Sequence, residues 1–413
     1  MNLFFMGLIY PKEDYFIIAS KCKTGMQTQA DNFQKLVIEA LEKSPIVGDL
    51  FVCNSLPVGN FPRHFRDLFL PAIVNGNIKS VGCLNLPYFK QRMREKHAYE
   101  ELMKWIQKSP FNRDVMLYSL YLPYMKAAVK AKESCPDLKL GIIVPDIPTD
   151  LGLSSGRRGL MLYLEQRMAR KSVALCAYFD YFILLTRQME NVLPMRMDAK
   201  CAVVEGIAPS ELKLPPETLV QKTYRKYGIP THNPCVVYTG TLQEELGVLD
   251  VIEAFDDPRL AHVNLVIAGG GTLADTVQAA CGRRPNAYYT GFIEREEAIN
   301  LQMGASVLIN PRKNTGKFTA YSFPSKTMEY MLSGKPVICY KLDGIPREYD
   351  EHLYYIHHER QIAPMILELL HADPKALSLH GINARYFVLN NKNADAQVAK
   401  MLRVYQSAYL EEL

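Results

Sequence analysis

The chain has 413 residues, of which 48% are apolar and 22% are charged, and its formal net charge is +5. This length exceeds one ordinary core and predicts two domains, and the composition excludes a disordered or fibrous protein. No run of about 18 apolar residues occurs, which argues against a transmembrane helix. Residues 1–10 are apolar but lack a basic start and a cleavage site, so we interpret them as a first strand rather than a signal peptide.

The charge is unevenly distributed along the chain. Residues 1–210 contain 27 Lys and Arg against 20 Asp and Glu, whereas the rest contains 21 against 23. A basic first half suits an anionic partner, either a membrane surface or a phosphorylated acceptor. Nucleic acid is not predicted, because no aromatic-interleaved basic strand and no nucleic-acid motif occurs. The nine Cys lack zinc spacing and predict buried thiols in a reducing cytoplasm.

In the first half, apolar runs alternate with helical patterns, which predicts βαβ units and a parallel sheet. Residues 29–43 place apolar side chains on one face and predict a helix. Residues 16–19 are interpreted as a continuation of the first strand or as the start of its loop. The predicted strands are residues 49–53, 78–84, 140–144, 181–186 and 202–206.

The second half begins a new series of strands after the proline-rich residues 209–216, which we interpret as part of the connection between domains. A helix is predicted over residues 249–255 and another over residues 396–410. The predicted strands are residues 235–240, 263–268, 287–292 and 305–310. We therefore predict an α/β protein with two doubly wound domains, in which ligands bind beyond the carboxyl ends of the strands.

Residues 321–338 are the most informative segment of the sequence. Ser325 and Lys326 stand where a helix begins, and Glu329 follows one turn later. A helix start attracts phosphate, Lys adds a cation, and Glu accepts hydrogen bonds from sugar hydroxyls, so the segment suits a nucleotide diphosphate. The alternative is a capped helix with a solvated Lys.

This segment resembles the donor-binding element of GT-B fold glycosyltransferases of the retaining family 4 type (glycosyl transferases group 1). Phe323, Glu329 and the turn at residues 334–337 match the family pattern, but Tyr321 stands where the family has its first Glu. The resemblance implies two Rossmann-like domains that face a cleft. Residues 1–205 would be the acceptor domain and residues 206–385 the donor domain, with residues 386–413 packing back on the first.

The same resemblance implies the donor contacts. The backbone of the Gly240 turn would contact phosphate, and Thr241 takes the place of a family Arg, while the usual Lys near residue 246 is also missing. Lys326 and Arg312 are therefore the expected replacement cations.

Four further residues complete the predicted donor site. The resemblance assigns the nucleotide base to Phe292 and Ile293, and the Tyr321 and Ser322 hydroxyls are candidates to hold the sugar. Residues 269–271 lack the dinucleotide fingerprint and are interpreted as a tight turn or as support for the donor pocket.

In the first domain, the basic loop with Gly25 and Gln27 resembles the family loop that approaches the donor phosphate and the acceptor. Asp146 follows the surest predicted strand and is the candidate catalytic or acceptor-orienting carboxylate; the alternative is a turn-forming Asp. No Asp-x-Asp motif occurs, so no metal and no cofactor is expected beyond the nucleotide sugar.

The basic stretches 90–96 and 157–173 are candidates for contact with anionic lipid, but core-facing helices with a solvated basic face are the favoured explanation. We expect transfer of a sugar to a glycan or lipid-linked acceptor in cell-surface polysaccharide synthesis, in the cytoplasm or peripherally at the inner face of the membrane. A nucleotide-sugar epimerase and a non-catalytic partner subunit stay open as alternatives, as does a homo- or hetero-oligomer.

Overall fold

The computed structural model of the protein describes residues 1–109, 111–147, 160–209, 212–314 and 317–410. The chain forms two compact units. The first contains residues 1–207 and 394–413, and the second contains residues 208–393.

The first unit contains an eight-stranded sheet of order β10-β9-β8-β7-β1-β2-β5-β4, parallel except for β4, which pairs antiparallel with β5. Its central strands are apolar runs buried on both faces, as a covered parallel sheet requires. A separate antiparallel pair is formed by β3 and β6. The bounds are β1 Asn2–Gly7, β2 Asp49–Asn54, β3 Phe69–Leu70, β4 Ile73–Asn75, β5 Ile78–Ser80, β6 Cys83–Leu84, β7 Arg113–Tyr118, β8 Lys139–Val144, β9 Tyr181–Leu184 and β10 Lys200–Val203.

Helices of the first unit connect these strands. Two of them begin at a proline-containing first turn, where a missing backbone N–H is harmless. The bounds are α1 Tyr15–Lys21, α2 Thr28–Lys43, α3 Pro87–Lys108, α4 Leu122–Ser134 and α5 Leu160–Ala174.

Three sequence-based interpretations of this unit are wrong. Residues 16–19 lie in helix α1, which buries Ile18 and leaves Phe16 and Ile17 exposed. Residues 78–84 form two short strands rather than one. Lys90 and Arg94 are buried, so the stretch 90–96 does not present a continuous basic face to lipid.

The other basic stretch corresponds to α5, and residues 157–159 lie outside the described residues. Leu164 and Met168 on this helix are exposed, which the core-facing interpretation did not predict.

The second unit contains a six-stranded parallel sheet of order β13-β12-β11-β14-β15-β16. Its strands are β11 Cys235–Thr239, β12 Asn264–Ala268, β13 Ala287–Tyr289, β14 Val307–Asn310, β15 Val337–Tyr340 and β16 Tyr354–Ile356. Its helices are α6 Glu217–Lys226, α7 Val248–Ala254, α8 Ala274–Cys281, α9 Arg295–Met303, α10 Ser325–Leu332, α11 Ile362–His371 and α12 Pro374–Asn391. The strand order reverses between β11 and β14, which makes their carboxyl ends the expected ligand position.

The last helix, α13 (Ala394–Leu410), belongs to the first unit. Its Val398, Met401 and Leu402 are buried in the same apolar cluster as Leu41 of α2 and Ile183 of β9. Among the described residues, no helix is both long enough and apolar enough to cross a membrane.

Candidate functional site

The candidate donor site lies at the carboxyl ends of β11 and β14 in the second unit. Gly240 and Thr241 directly follow β11, and Arg312 lies two residues beyond the end of β14. Helix α10 starts after the same loop. Its first turn is tied to β14, because the Asn310 side-chain amide donates a 2.9 Å hydrogen bond to the Thr327 hydroxyl. The chain thus brings the predicted donor residues of three segments to one edge of the sheet.

Helix α10 has one buried and one open face. Thr327, Tyr330 and Met331 are fully buried, which fixes the helix on the sheet. Ser325 is exposed, and Lys326 and Glu329, three residues apart, are half-buried on the open side. The predicted ligand-binding residues are therefore the ones that packing leaves accessible.

A hydrogen-bond network holds Glu329 in place. The Tyr330 hydroxyl accepts from the Thr239 backbone N–H at 2.7 Å and donates to the Thr239 carbonyl at 3.0 Å. The buried Gln302 amide on α9 donates to the Thr239 hydroxyl at 2.9 Å and to Glu329 Oε1 at 2.7 Å. Lys326 Nζ also bonds Glu329 Oε1, at 3.0 Å. Neither donor uses Oε2 of this carboxylate.

The turns after β11 and β12 pack backbone against backbone. The Gly240 N–H donates to the Ala268 carbonyl, and the Leu242 N–H donates to the Gly270 carbonyl, both at 2.9 Å. Gly269 has a φ of +149°, and an added Cβ there would lie 1.8 Å from the Gly240 carbonyl oxygen. Only glycine fits this contact. The glycine loop therefore supports the Gly240 turn.

Arg312 and Ser322 meet in the loop between β14 and α10. Arg312 Nη2 donates a 2.8 Å hydrogen bond to the Ser322 hydroxyl. Withdrawal from water lowers the pKa of the Arg312 guanidinium below its ordinary value, although such a group stays charged at neutral pH. Tyr321, next to Ser322, is half-buried at the end of a short 3₁₀ segment. A cation and the Ser322 hydroxyl thus lie together beyond β14.

The predicted base-binding pair follows β13. Phe292 is 80% exposed, and Ile293 packs partly against the core of the second unit. An added Cβ on Gly270 would lie 3.7 Å from the Phe292 side chain, so this ring stands beside the glycine loop.

In the first unit, Asp146 stands two residues after β8. Surrounding protein atoms withdraw its carboxyl from water and raise its pKa above the ordinary value, although the side chain keeps an exposed surface. Burial raises the pKa of the Tyr118 hydroxyl at the end of β7, and the nearby Asp146 carboxylate raises it further. The carboxylate therefore lies beyond the sheet edge, near a tyrosine that stays protonated.

Side chains hold the loop after β1 in place. The Ile9 N–H donates to Asn54 Oδ1 at 2.8 Å, the Leu8 N–H to Gln34 Oε1 at 2.7 Å, and the Tyr10 N–H to Asp31 Oδ1 at 2.7 Å.

Gly25 and Gln27 lie on the next loop, at the start of α2, and both are exposed. An added Cβ on Gly25 would meet no atom within 4 Å, so the protein's own packing does not require glycine there.

Sequence reasoning missed Thr239, Gln302 and Tyr330, which position Glu329. Thr239 and Tyr330 adjoin residues that the sequence analysis named, but Gln302 lies in a helix whose sequence contains no recognisable motif. In the part of the chain that the structure describes, no group of three or more His, Cys, Asp or Glu is arranged to hold a metal ion.

Comparisons with known proteins bear on both units. Residues 233–372 match the family model for glycosyl transferases group 1. Sucrose-phosphate synthase from Thermosynechococcus elongatus is 15% identical, with a TM-score of 0.65 and 100% of both chains covered. HepE from Anabaena, in complex with UDP-glucose, is 14% identical, with a TM-score of 0.57 and 100% of both chains covered. The apo form of the lipopolysaccharide outer core galactosyltransferase WaaB is 12% identical, with a TM-score of 0.59 and coverage of 98% and 99%. No curated protein sequence matches the chain significantly.

Two doubly wound sheets and full-length structural likeness define the class: the chain has the GT-B fold, as the sequence resemblance predicted. Within that class, residues 233–372 match the glycosyl transferases group 1 model. The predicted kind of enzyme, a glycosyltransferase, is thereby confirmed.

Proposed function

We propose that the protein transfers a sugar, with retention of configuration, from a nucleotide diphosphate to a glycan or lipid-linked acceptor. The observation that carries the proposal is the network of Thr239, Gln302, Lys326 and Glu329 at the start of α10. It combines a fixed carboxylate and a cation near a helix N-terminus, an arrangement that suits a nucleotide diphosphate.

In the proposed donor complex, the diphosphate lies on Lys326 and the first N–H groups of α10, with Arg312 and the Gly240 turn nearby. These cations replace the two that the family has near residues 241 and 246. Glu329 accepts from the ribose through Oε2, the oxygen that Lys326 and Gln302 leave unused. The base rests on Phe292 and Ile293. HepE, solved with UDP-glucose, supports a nucleotide sugar as donor.

In the proposed reaction, an acceptor hydroxyl attacks the anomeric carbon as the bond to the diphosphate breaks, and the departing phosphate oxygen takes the hydroxyl proton. The Tyr321 and Ser322 hydroxyls hold the sugar, and the helix dipole with Lys326 stabilises the charge on the leaving group. Asp146 orients the acceptor, while Gly25 and Gln27 line its approach.

The acceptor assignment has two supports. The first half of the chain is basic, which suits a phosphorylated or membrane-bound acceptor. WaaB, a lipopolysaccharide outer core galactosyltransferase, shares the fold. We place the reaction in cell-surface polysaccharide synthesis, in the cytoplasm at the inner face of the membrane.

The test is release of nucleotide diphosphate from a panel of nucleotide sugars, with and without membranes. Lys326→Ala and Glu329→Ala are expected to weaken donor binding by about tenfold or more, because each removes a charged contact. Asp146→Asn is expected to lower the turnover rate and leave donor affinity unchanged. Lys375→Ala, at an exposed Lys at the start of α12, is the control and should match the parent protein.

Other outcomes separate the alternatives. Conversion of a donor to its isomer without release of nucleotide would indicate an epimerase. Tyr321 and Thr241, which replace a family Glu and Arg, are the observations that favour a non-catalytic partner subunit. No release and no thermal shift with any nucleotide would refute the transferase and favour that subunit.

A further inference from the structure

Insertions after the strands build a small layer at the carboxyl edge of the first sheet. Helix α1 follows β1, β3 and β4 follow β2, and α3 begins after β6. These elements share one buried apolar cluster that includes Ile18, Phe65, Leu70, Cys83 and, at its margin, Met93. We call this layer the edge layer. Apart from β4, which is the outermost strand of the sheet itself, the layer lies beyond the carboxyl ends of the parallel strands, on the same side as Asp146 and Gly25.

The outer face of the edge layer is apolar. Its members are all between 53% and 83% exposed. Helix α1 and strand β3 bury Ile18 and Leu70 in the shared cluster, while β4 and α3 pack against its margin through the partly buried Ile73 and Met93. Within α1, Ile18 points inward while its neighbours point outward, and along β3 the buried Leu70 alternates with an exposed Phe. We call these six residues the aromatic surface: Phe16, Ile17, Phe69, Val74, Tyr88 and Phe89.

Single exposed apolar residues are normal on a protein surface, but six on one small layer mark an interaction site. Two of the rings contact each other, with the Tyr88 and Phe89 centroids 5.8 Å apart. The Arg92 guanidinium lies 5.5 Å from the centre of the Tyr88 ring. The Arg92 side chain thus adds a cation beside the exposed rings.

Exposed cations surround the aromatic surface. The two loops that carry Lys23, Arg63 and Arg66 are held together by an antiparallel bridge between Cys22 and Phe65 and by a 2.9 Å hydrogen bond from the Lys23 N–H to the His64 carbonyl. The acidic residues nearby are fewer: Asp67 is paired with Lys21 at 2.8 Å, and Glu39 with Lys12 at 3.1 Å. The exposed cations are Lys12, Lys23, Arg63, Arg66 and Arg92.

We propose that the aromatic surface docks on a bilayer that contains anionic lipid. Aromatic rings favour the headgroup boundary, and each nearby Lys or Arg is attracted to the negative leaflet. This location differs from the two basic stretches that the sequence singled out. The inference rests on the membrane location proposed for the reaction, and its test is separate from sugar transfer because binding to a bilayer is measured without any donor.

The experiment is co-sedimentation of the full chain with vesicles of phosphatidylcholine, alone or mixed with phosphatidylglycerol, at low and high salt. Binding is expected for the mixed vesicles and should weaken as salt rises. The double variant Phe16→Ala, Phe89→Ala is expected to reduce binding about tenfold or more. The control is Leu379→Ala, Tyr386→Ala, at residues of the second unit that are 58% and 59% exposed.

Thermal melting confirms that the variants are folded, and light scattering gives their oligomeric state. The proposal is overturned if the parent chain does not bind the mixed vesicles, or if the double variant Phe16→Ala, Phe89→Ala binds them as well as the control variant does. It is also overturned if Leu164→Ala, Met168→Ala on α5 abolishes binding while the edge-layer variant does not. A dimer that dissociates when Phe16 and Phe89 are replaced would assign the surface to a second copy instead.

Discussion

At the scale of single residues, two buried cations distinguish the first unit. Lys90 Nζ donates to the Val58 carbonyl at 3.0 Å, and Arg94 donates to the Leu56 carbonyl and, at 3.0 Å, to the Tyr121 hydroxyl. Together they hold the segment that follows β2. Burial, and then the neighbouring Arg94, lower the pKa of Lys90 to about 8.

This shift predicts a pH-dependent stability. The folded state disfavours charged Lys90, so the charge lowers the free energy of unfolding by its full amount below about pH 8. This loss shrinks as the pH rises toward 10.5, the ordinary pKa of Lys. Relative to Lys90→Met, the parent protein should gain about 2 kcal/mol in free energy of unfolding between about pH 7 and pH 9.5. Urea titration of both proteins at each pH measures this gain.

Lys96→Met, at an exposed Lys of the same helix, supplies the control, and its difference from the parent protein should not change with pH. A constant difference for Lys90→Met would mean that Lys90 is not strained by burial.

The same residues show where sequence reasoning reaches its limit. The stretch 90–96 was interpreted as a basic surface because Lys and Arg are usually solvated. Nothing in the local sequence indicates that Lys90 and Arg94 donate hydrogen bonds to carbonyl groups of a distant loop. Gln302 is a similar case, since its role depends on two partners more than 25 residues away. By contrast, the buried strands were predictable, because a covered parallel strand is a continuous apolar run.

At the scale of elements, the contact between the β11 and β12 turns sets the geometry of the candidate donor site. Gly269→Ala is expected to lower the free energy of unfolding by about 2–4 kcal/mol, because its Cβ would collide with the Gly240 carbonyl. Chemical unfolding measures the loss, and weaker binding of the nucleotide sugar should accompany it.

The variant Gly228→Ala is a control that separates the effect of a steric collision from that of backbone strain. Gly228 has a φ of +66°, and an added Cβ there meets no atom within 4 Å. The free energy of unfolding of this variant should therefore fall by only about 1 kcal/mol. Equal losses for the two variants would show that the contact with Gly240 does not matter.

Helix α1 illustrates an element that the sequence pattern misassigned. Its apolar run, residues 16–18, resembles a strand, yet only Ile18 is buried. In the second unit, strands β11 to β14 and helix α7 were predicted closely, because each of these strands is an apolar run. No prediction was made for β16 or for helices α6, α11 and α12. The edge layer of the first unit consists of insertions, and short strands such as β3 and β6 carry too few residues for a periodic signal.

At the scale of the whole molecule, the chain completes its first unit with its last helix. Val398, Met401 and Leu402 of α13 are essentially fully buried there, and each such side chain contributes about 1.5–3 kcal/mol. Their sum approaches the total stability of a domain. Removal of residues 394–413 should therefore leave the first unit unfolded.

The second unit should be unaffected by this deletion. Its core is its own, and its two ends are joined by the bridge between Ala208 and Asn393 and by a 2.7 Å hydrogen bond from the Ala208 N–H to the Lys392 carbonyl. We expect residues 1–393 to unfold in a single thermal transition, at the same temperature as residues 208–393 expressed alone. A melting curve identical to that of the full chain would contradict this account.

The position of α13 also has a consequence for synthesis on the ribosome. After residue 207 is made, the 186 residues of the second unit must follow before α13 can exist. At bacterial and eukaryotic translation speeds this takes roughly 10–40 s, long enough for the second unit to fold first. Throughout that interval the apolar residues of β9, β10 and α2 lack the helix that covers them, so the first unit stays unfolded. The nascent chain is therefore a client for chaperones at its amino-terminal end, even though that end is translated earliest.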